Sequence, residues 1–330
     1  MSEHLLDVKN LRTIFSTTGG IVQAVRGIDI HVDPGEFLGI IGESGCGKSV
    51  TMLSVMKLLD DNAAVKADEM VFDGTDLTKK TNKQMQKIRG KDIGMIFQDP
   101  MTSLNPLYTV GDQLMEPLKK HMKLSKEAAK ERALEMLRLV GINEPEKRLS
   151  QYPHELSGGM RQRIVIAIAM CCNPKLLIAD EPTTALDVTI QAQIMELMDD
   201  LKKQFDTAII LITHDLGVIA GSCTRVMVMY GGKIMEEGVT RDIFYHPAHP
   251  YTIGLLASVP NDASGIKERL VPIPGSPPDL MDPPIGCPFA ARCPKAMRIC
   301  NIAPPTLEEV GEGHTCACWL LHPQAIALGK

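Results

Sequence analysis

Eight consecutive residues, Gly42-Glu43-Ser44-Gly45-Cys46-Gly47-Lys48-Ser49, fit the G-x-x-x-x-G-K-[ST] phosphate loop at every fixed position. Each residue type there has a chemical reason. Gly42, Gly45 and Gly47 let the backbone close around an anion without Cβ clashes. Lys48 reaches β- and γ-phosphates in such loops, and the Ser49 hydroxyl ligates Mg²⁺. Far downstream, the apolar run Leu176-Leu177-Ile178-Ala179 ends in two carboxylates, Asp180 and Glu181. An aspartate at such a strand end helps hold Mg²⁺, and the next residue, pointing differently, can polarise a water as general base. The chemistry these groups share is the binding of a nucleoside triphosphate.

Three more stretches belong with them. Leu156-Ser157-Gly158-Gly159-Met160-Arg161-Gln162-Arg163 sets a serine and two glycines at the start of an apolar helix, a second phosphate-binding helix N-terminus. Gln98, in Phe97-Gln98-Asp99-Pro100, ends a strand where its amide can reach Mg²⁺ or a water. His214, in Ile212-Thr213-His214-Asp215, ends another and can hydrogen-bond a γ-phosphate. Taken singly, Gln98 and His214 are ordinary polar residues; their order and spacing give them meaning.

These groups need elements to hold them in place. Phe37-Leu38-Gly39-Ile40-Ile41 reads as a buried strand entering the loop. A helix over 49–59, with Met52, Val55, Met56 and Leu59 on one face, leaves it. Alternating apolar and polar positions over 5–37, about the turn signal Thr18-Gly19-Gly20, predict a small antiparallel sheet. Asp68–Phe72 and Asp92–Gln98 are further strands. Between about 105 and 150 the character is helical: Ser125 caps a run with Ala129, Ala133, Met136, Leu137 and Val140 on one face, and Gly141 stops it. Residues 174–237 alternate again, with strands at 176–179, 209–212 and 226–229. Between the first two lies a helix carrying Ile194, Leu197, Met198 and Leu201 on one side. That alternation implies an α/β fold with a mainly parallel sheet.

The chain has 330 residues, 44% of them hydrophobic, enough for one large domain or two ordinary ones. A net charge of −5 argues against a nucleic-acid binder. Residues 1–10 lack a signal-peptide pattern, and the longest apolar stretch, Ile164–Cys172, is far too short to span a membrane. A cytoplasmic chain with reduced cysteines is expected. From about Asn261 onwards, Pro272, Pro274, Pro277, Pro278, Pro283 and Pro284 oppose regular structure. The tail reads as a loop-rich appendage held by something other than a hydrophobic core.

The phosphate loop, Gln98, Leu156–Met160, Ala179-Asp180-Glu181, Ala185-Leu186-Asp187 and His214 occur in the order found in ATP-binding-cassette (ABC) ATPases. The resemblance covers roughly 5–258 and implies the P-loop NTPase ABC-cassette fold. That fold has a mainly parallel core, a small antiparallel β subdomain and a helical subdomain at about 105–170. It implies ATP contacts from Phe15 (stacked on adenine), Gly42, Ser44, Gly45, Cys46, Gly47, Lys48, Ser49 and Val50. Ser49, Gln98 and Asp180 are implied as Mg²⁺ ligands, Glu181 as base and His214 as γ-phosphate contact. Two cassettes of this family sandwich head to tail, so Ser157, Gly158 and Gly159 would act on the partner's nucleotide and Ala185-Leu186-Asp187 would couple the sites. Met160 departs from the commonest signature, which has glutamine; the serine and glycines remain.

Residues 244–252, 272–278 and 286–294 are similar to the C-terminal region of ATP-binding subunits of oligopeptide and dipeptide importers, whose relatives also import nickel. The resemblance implies a domain boundary at 258/259 and a peripheral place on the cytoplasmic face of the membrane. As partners it implies a second cassette, two permease subunits and an extracytoplasmic peptide-binding protein. Cargo stays open between peptide, nickel and another small solute. A soluble repair or translation ATPase is disfavoured, because neither a long coiled coil nor a second cassette is present.

Cys287, Cys293 and Cys300 are separated by five and six residues, and Cys318 follows after an interval of seventeen. Tight C-x₂₋₄-C zinc pairs are absent unless Cys316 and Cys318 are counted. Four thiolates on a proline-rich scaffold suit an iron–sulfur cluster, [4Fe–4S], which some members of the group are thought to carry. A zinc site and free buried thiols are the alternatives. Cys318 fits the family pattern better than Cys316 as the fourth ligand. Cys46, Cys171, Cys172 and Cys223 read as small core or loop residues.

Overall fold

The computed structural model describes residues 4–98, 103–184, 186–258, 272–323 and 325. Asp99, Pro100, Ala185 and the composition change at Asn261 lie outside them, and the boundary expected at 258/259 falls at their edge. The chain divides into two compact units: residues 1–31, 38–78 and 213–330, and residues 32–37 with 79–212.

In the first unit, strands Leu6–Thr17 and Gly20–Val32 meet at the predicted turn, where the Thr17 hydroxyl donates to the Gly20 carbonyl at 2.8 Å. Glu69–Phe72 pairs antiparallel with the first of them, Leu6 facing Phe72. Ala63–Lys66 also pairs there, a strand that its short, half-exposed sequence did not announce. Every residue of Phe37–Ile41 is buried, and the strand runs parallel to Arg225–Tyr230, with Ile41 opposite Val228. Lys233–Val239 pairs antiparallel with Arg225–Tyr230. Two tail strands extend that edge: His314–Cys316 beside Lys233–Val239, then Glu308–Gly311.

The helix leaving the phosphate loop spans Lys48–Val55, shorter than expected. The backbone turns left-handed at Lys57 (φ 49°), so Leu59 never joins Met52, Val55 and Met56 on the buried face.

The second unit holds three parallel strands, Ile93–Ile96, Leu176–Asp180 and Ala208–Ile212. The latter two are buried throughout, which explains their continuous apolar runs. Helices Val110–Met122, Lys126–Leu139, Gly158–Met170 and Val188–Phe205 each begin behind a side-chain cap: Thr109, Ser125, Ser157 and Asp187. Ala129, Ala133, Met136, Leu137 and Val140 form the buried face predicted for the second of these, and Gly141 (φ 71°) ends it. No helix among the described residues is long and apolar enough to cross a membrane.

The tail has an apolar anchor. Phe289, 2% exposed, packs edge-on against Tyr230 (ring centroids 5.3 Å apart) and at the same distance from Tyr251. Such aromatic contacts add about 0.5–1.5 kcal/mol each beyond the area they bury. The Pro-rich composition hid this anchor, because a single aromatic carries it.

Candidate functional site

The phosphate loop closes where the sequence places it. At Gly42 the backbone has φ 150°, and a Cβ would lie 2.2 Å from the Met229 carbonyl oxygen; at Gly47 (φ 106°) it would meet the Ala24 carbonyl at 2.5 Å. Both positions therefore demand glycine. The buried Lys48 ammonium donates to the Gly42 and Glu43 carbonyls at 2.7 and 3.0 Å, curling the loop over its own lysine. Burial pushes the Cys46 thiol up, with nearby Lys48 pulling the other way. Ser44 and Gly45 are exposed, while Ser49 and Val50 are half-buried at the start of the helix. Phe15 lies half-buried on its strand, opposite Ala63. His214 is exposed just before Asp215, whose carboxylate caps helix Leu216–Ser222 through the Gly217 and Val218 N–H groups.

In the second unit, register sets the carboxylates. Ile96 lies opposite Ala179, which brings the residues that follow both strands to one end. Asp180, 4% exposed, is the last strand residue. Glu181 breaks the strand with left-handed backbone (φ 47°) while its N–H still reaches the Ile212 carbonyl at 2.8 Å. A non-glycine residue in that region is strained, as functional positions often are. The turn gives Glu181 a direction different from that of Asp180. Its Oε2 accepts from Gln98 Nε2 at 3.1 Å and from the Thr184 hydroxyl at 2.9 Å. So Gln98 and Glu181, singled out separately in the sequence, touch. Thr184 was missed; its only signal is its place three residues after the glutamate.

Ser157 caps the apolar helix by accepting from the Met160 N–H at 3.4 Å. Ser157 and Gly158 are exposed, and Gly159 is half-exposed. Behind them, buried Gln162 donates to the Pro182 carbonyl, tying the signature helix to the turn after Glu181.

Cys287 and Cys300 are buried, while Cys293 and Cys318 are half-buried. Burial, and then the neighbouring Cys300, Cys318 and Cys293, push the Cys287 thiol up to about 12. Burial also raises Cys318, to which Cys293 and Cys300 add. These four thiols thus share one neighbourhood. Cys316 differs: fully buried on its strand opposite Glu236, it is raised by burial, Glu236, Cys318 and Cys287. Among the described residues no three His, Cys, Asp or Glu side chains are grouped so as to hold a metal ion.

The sequence also gave no role to Tyr251 and Arg292, both of which contact Glu43 within the loop. They lie in the segments 244–252 and 286–294 noted for their resemblance, which was the one available signal.

Comparison with known proteins agrees with this geometry. The family described as "ABC transporter" matches residues 25–184, and "Oligopeptide/dipeptide transporter, C-terminal region" matches 235–300. The chain is 59% identical over 322 residues to the oligopeptide transport ATP-binding protein OppD of Bacillus subtilis, covering 97% of this chain and 90% of that one. It is 56% identical to the dipeptide transport ATP-binding protein DppD of the same organism, covering 98% and 96%. Among solved structures, a dimeric ATP-binding cassette in a post-hydrolysis state, bound to ADP and phosphate, superposes with a TM-score of 0.64 at 29% identity. It covers 72% of this chain and 99% of the other.

Proposed function

The chain belongs to the ABC transporter family, in its group of oligopeptide and dipeptide transport ATP-binding proteins, and on that premise we propose that it powers peptide import across the cytoplasmic membrane by hydrolysing ATP. The observation that carries the reading is the phosphate loop itself, closed over Lys48 and forced to glycine at 42 and 47.

In this reading Lys48 binds the β- and γ-phosphates. The loop residues Gly42, Ser44, Gly45, Cys46, Gly47, Ser49 and Val50 line them, and Phe15 stacks on adenine. Glu181 takes a proton from the attacking water, held in orientation by Gln98 and Thr184. His214 donates to the γ-phosphate. A serine hydroxyl, a carboxylate and an amide oxygen form a hard donor set that suits Mg²⁺. Ser49, Asp180 and Gln98 would hold it, and the ion would supply charge neutralisation at the phosphates. The exposure of Ser157 and Gly158 supports their action on a partner's nucleotide in a head-to-tail pair, with Ala185-Leu186-Asp187 between the sites. The partners are a second cassette, two permease subunits that fix this subunit to the cytoplasmic face of the membrane, and an extracytoplasmic peptide-binding protein. Domains at 1–258 and 259–330, with helices at about 105–170, follow the same reading.

Cys287, Cys293, Cys300 and Cys318 are read as ligands of a structural [4Fe–4S] cluster. Thiols that feel one another's charge, in a tail that follows the segments similar to peptide-importer subunits, support this reading. Cys318 rather than Cys316 senses Cys293 and Cys300, which supports it as the fourth ligand.

Glu181→Gln tests the ATPase assignment: turnover should fall by about 10²–10⁴-fold while ATP binding persists. Undiminished turnover would remove Glu181 from its role. Anaerobic purification with iron, sulfide and zinc assays tests the tail. About four iron and four sulfide per chain is the expected result; one zinc without sulfide would replace the cluster by a zinc staple.

A further inference from the structure

The phosphate loop contains an acid. Glu43 follows Gly42 directly, so its carboxylate originates inside a cradle built to hold a triphosphate. A free carboxylate there would repel the ligand and compete for Lys48. The structure shows how this is avoided. The Glu43 N–H donates to the Tyr251 hydroxyl at 2.9 Å, its carbonyl accepts from Lys48 at 3.0 Å, and its carboxylate is gripped by Arg292. The grip is bidentate, Nη1 to Oε2 at 2.6 Å and Nη2 to Oε1 at 3.0 Å.

Arg292 comes from the tail, in the short turn Ala290–Arg292 that ends at Cys293. A guanidinium has five N–H donors, and here each has an acceptor. Besides the two Glu43 oxygens, Nη1 donates to the Tyr230 hydroxyl at 3.0 Å, Nη2 to the Ile273 carbonyl at 3.1 Å, and Nε to the Pro274 carbonyl at 2.9 Å. The guanidinium also lies over the Tyr230 ring, 5.7 Å from its centroid. Its side chain is 6% exposed and that of Glu43 25%. Charges this far from water persist only when paired and saturated with hydrogen bonds. A lysine, with a point charge and no fork, cannot reproduce the arrangement.

We propose that Arg292 is a positioning residue for the ATP site: it neutralises Glu43 and turns it out of the phosphate cradle, so that the tail sets the nucleotide affinity of the loop. Arg292 touches no phosphate; it acts through Glu43. The inference rests on the ATP-binding reading of the loop. Because coupling is reciprocal, nucleotide in the loop also steadies the tail.

The test is calorimetric titration of the full-length protein with Mg²⁺ and the non-hydrolysable analogue AMP-PNP, alongside steady-state ATPase kinetics. Arg292→Ala should raise Kd and KM about 10-fold, with a smaller effect on kcat, the size expected of coupled sites. Arg292→Lys should fall short of the wild type in the same direction. Adding Glu43→Gln to Arg292→Ala removes the unpaired acid and should recover most of the lost affinity, a coupling read from the double-mutant cycle. The sole tryptophan, Trp319, lies in the tail, its indole N–H on the Ala303 carbonyl. Its emission should respond to AMP-PNP in the wild type and not in Arg292→Ala. Wild-type affinity in Arg292→Ala overturns the proposal. So does a loss that Glu43→Gln fails to repair, since that would mark Arg292 as mere scaffold. Failure of the wild type to bind AMP-PNP would instead strike the ATP reading, a result that no variant is needed to see.

Discussion

Replacing His249 by asparagine should flatten the acid limb of this protein's stability. His249 is 1% exposed and caps helix Pro250–Ala257 by accepting the Tyr251 N–H on Nδ1 at 3.0 Å. That nitrogen can accept only while it carries no proton. The ring also lies against Phe289, with centroids 5.9 Å apart. Burial pulls its pKa down from the ordinary 6.5 to about 4. The unfolded chain therefore binds a proton that the folded one refuses. The stabilising effect is complete above about pH 6.5 and is lost progressively as pH falls toward about 4. At about 1.36 kcal/mol per unit of separation, the whole effect is on the order of 3 kcal/mol, of which about 2 kcal/mol is lost by about pH 5. Asparagine keeps a capping oxygen but does not titrate. Urea unfolding of both proteins, followed by far-ultraviolet circular dichroism near neutral pH and near pH 5, gives the comparison. The wild type should lose about 2 kcal/mol more than His249→Asn on acidification. Equal losses would refute the reasoning.

Two substitutions probe the site and its support. Gly42→Ala puts a methyl group 2.2 Å from the Met229 carbonyl oxygen and adds backbone strain of about 1–3 kcal/mol. A folded protein without measurable ATP affinity is expected, and wild-type affinity by titration would contradict the cradle. Phe289→Ala should cost about 3–5 kcal/mol in denaturant unfolding, and a loss under about 1 kcal/mol would show that the ring is no anchor.

What was legible in the sequence was local. The phosphate loop, the cap at Ser125, the helix start at Ser157, and the apolar runs 176–179 and 209–212 each write their structure in a few adjacent residues. What was illegible was mostly distant. Glu43 and Arg292 lie 249 positions apart, and neither residue type at its own place announces the other. Tyr230, Tyr251 and Phe289 come from three segments, so no periodicity could gather them. The early end of the helix after the loop was a local feature, yet Lys57 is not a residue whose type signals a left-handed turn. Glu181 is the same case at the site itself: its identity suggested a base, but only the backbone shows how it is turned toward Gln98 and Thr184.

The two strands the tail adds to the sheet have a bearing on solubility. Lys233–Val239 is mostly buried, and left as the rim it would offer unpaired backbone groups between apolar side chains, a template for unwanted pairing between molecules. His314–Cys316 covers it, and the new rim, Glu308–Gly311, is exposed at every residue and opens with two glutamates. Two copies meeting rim to rim bring like charges together. A chain cut short before residue 308 would lose that guard and should precipitate from solution even with its phosphate loop intact.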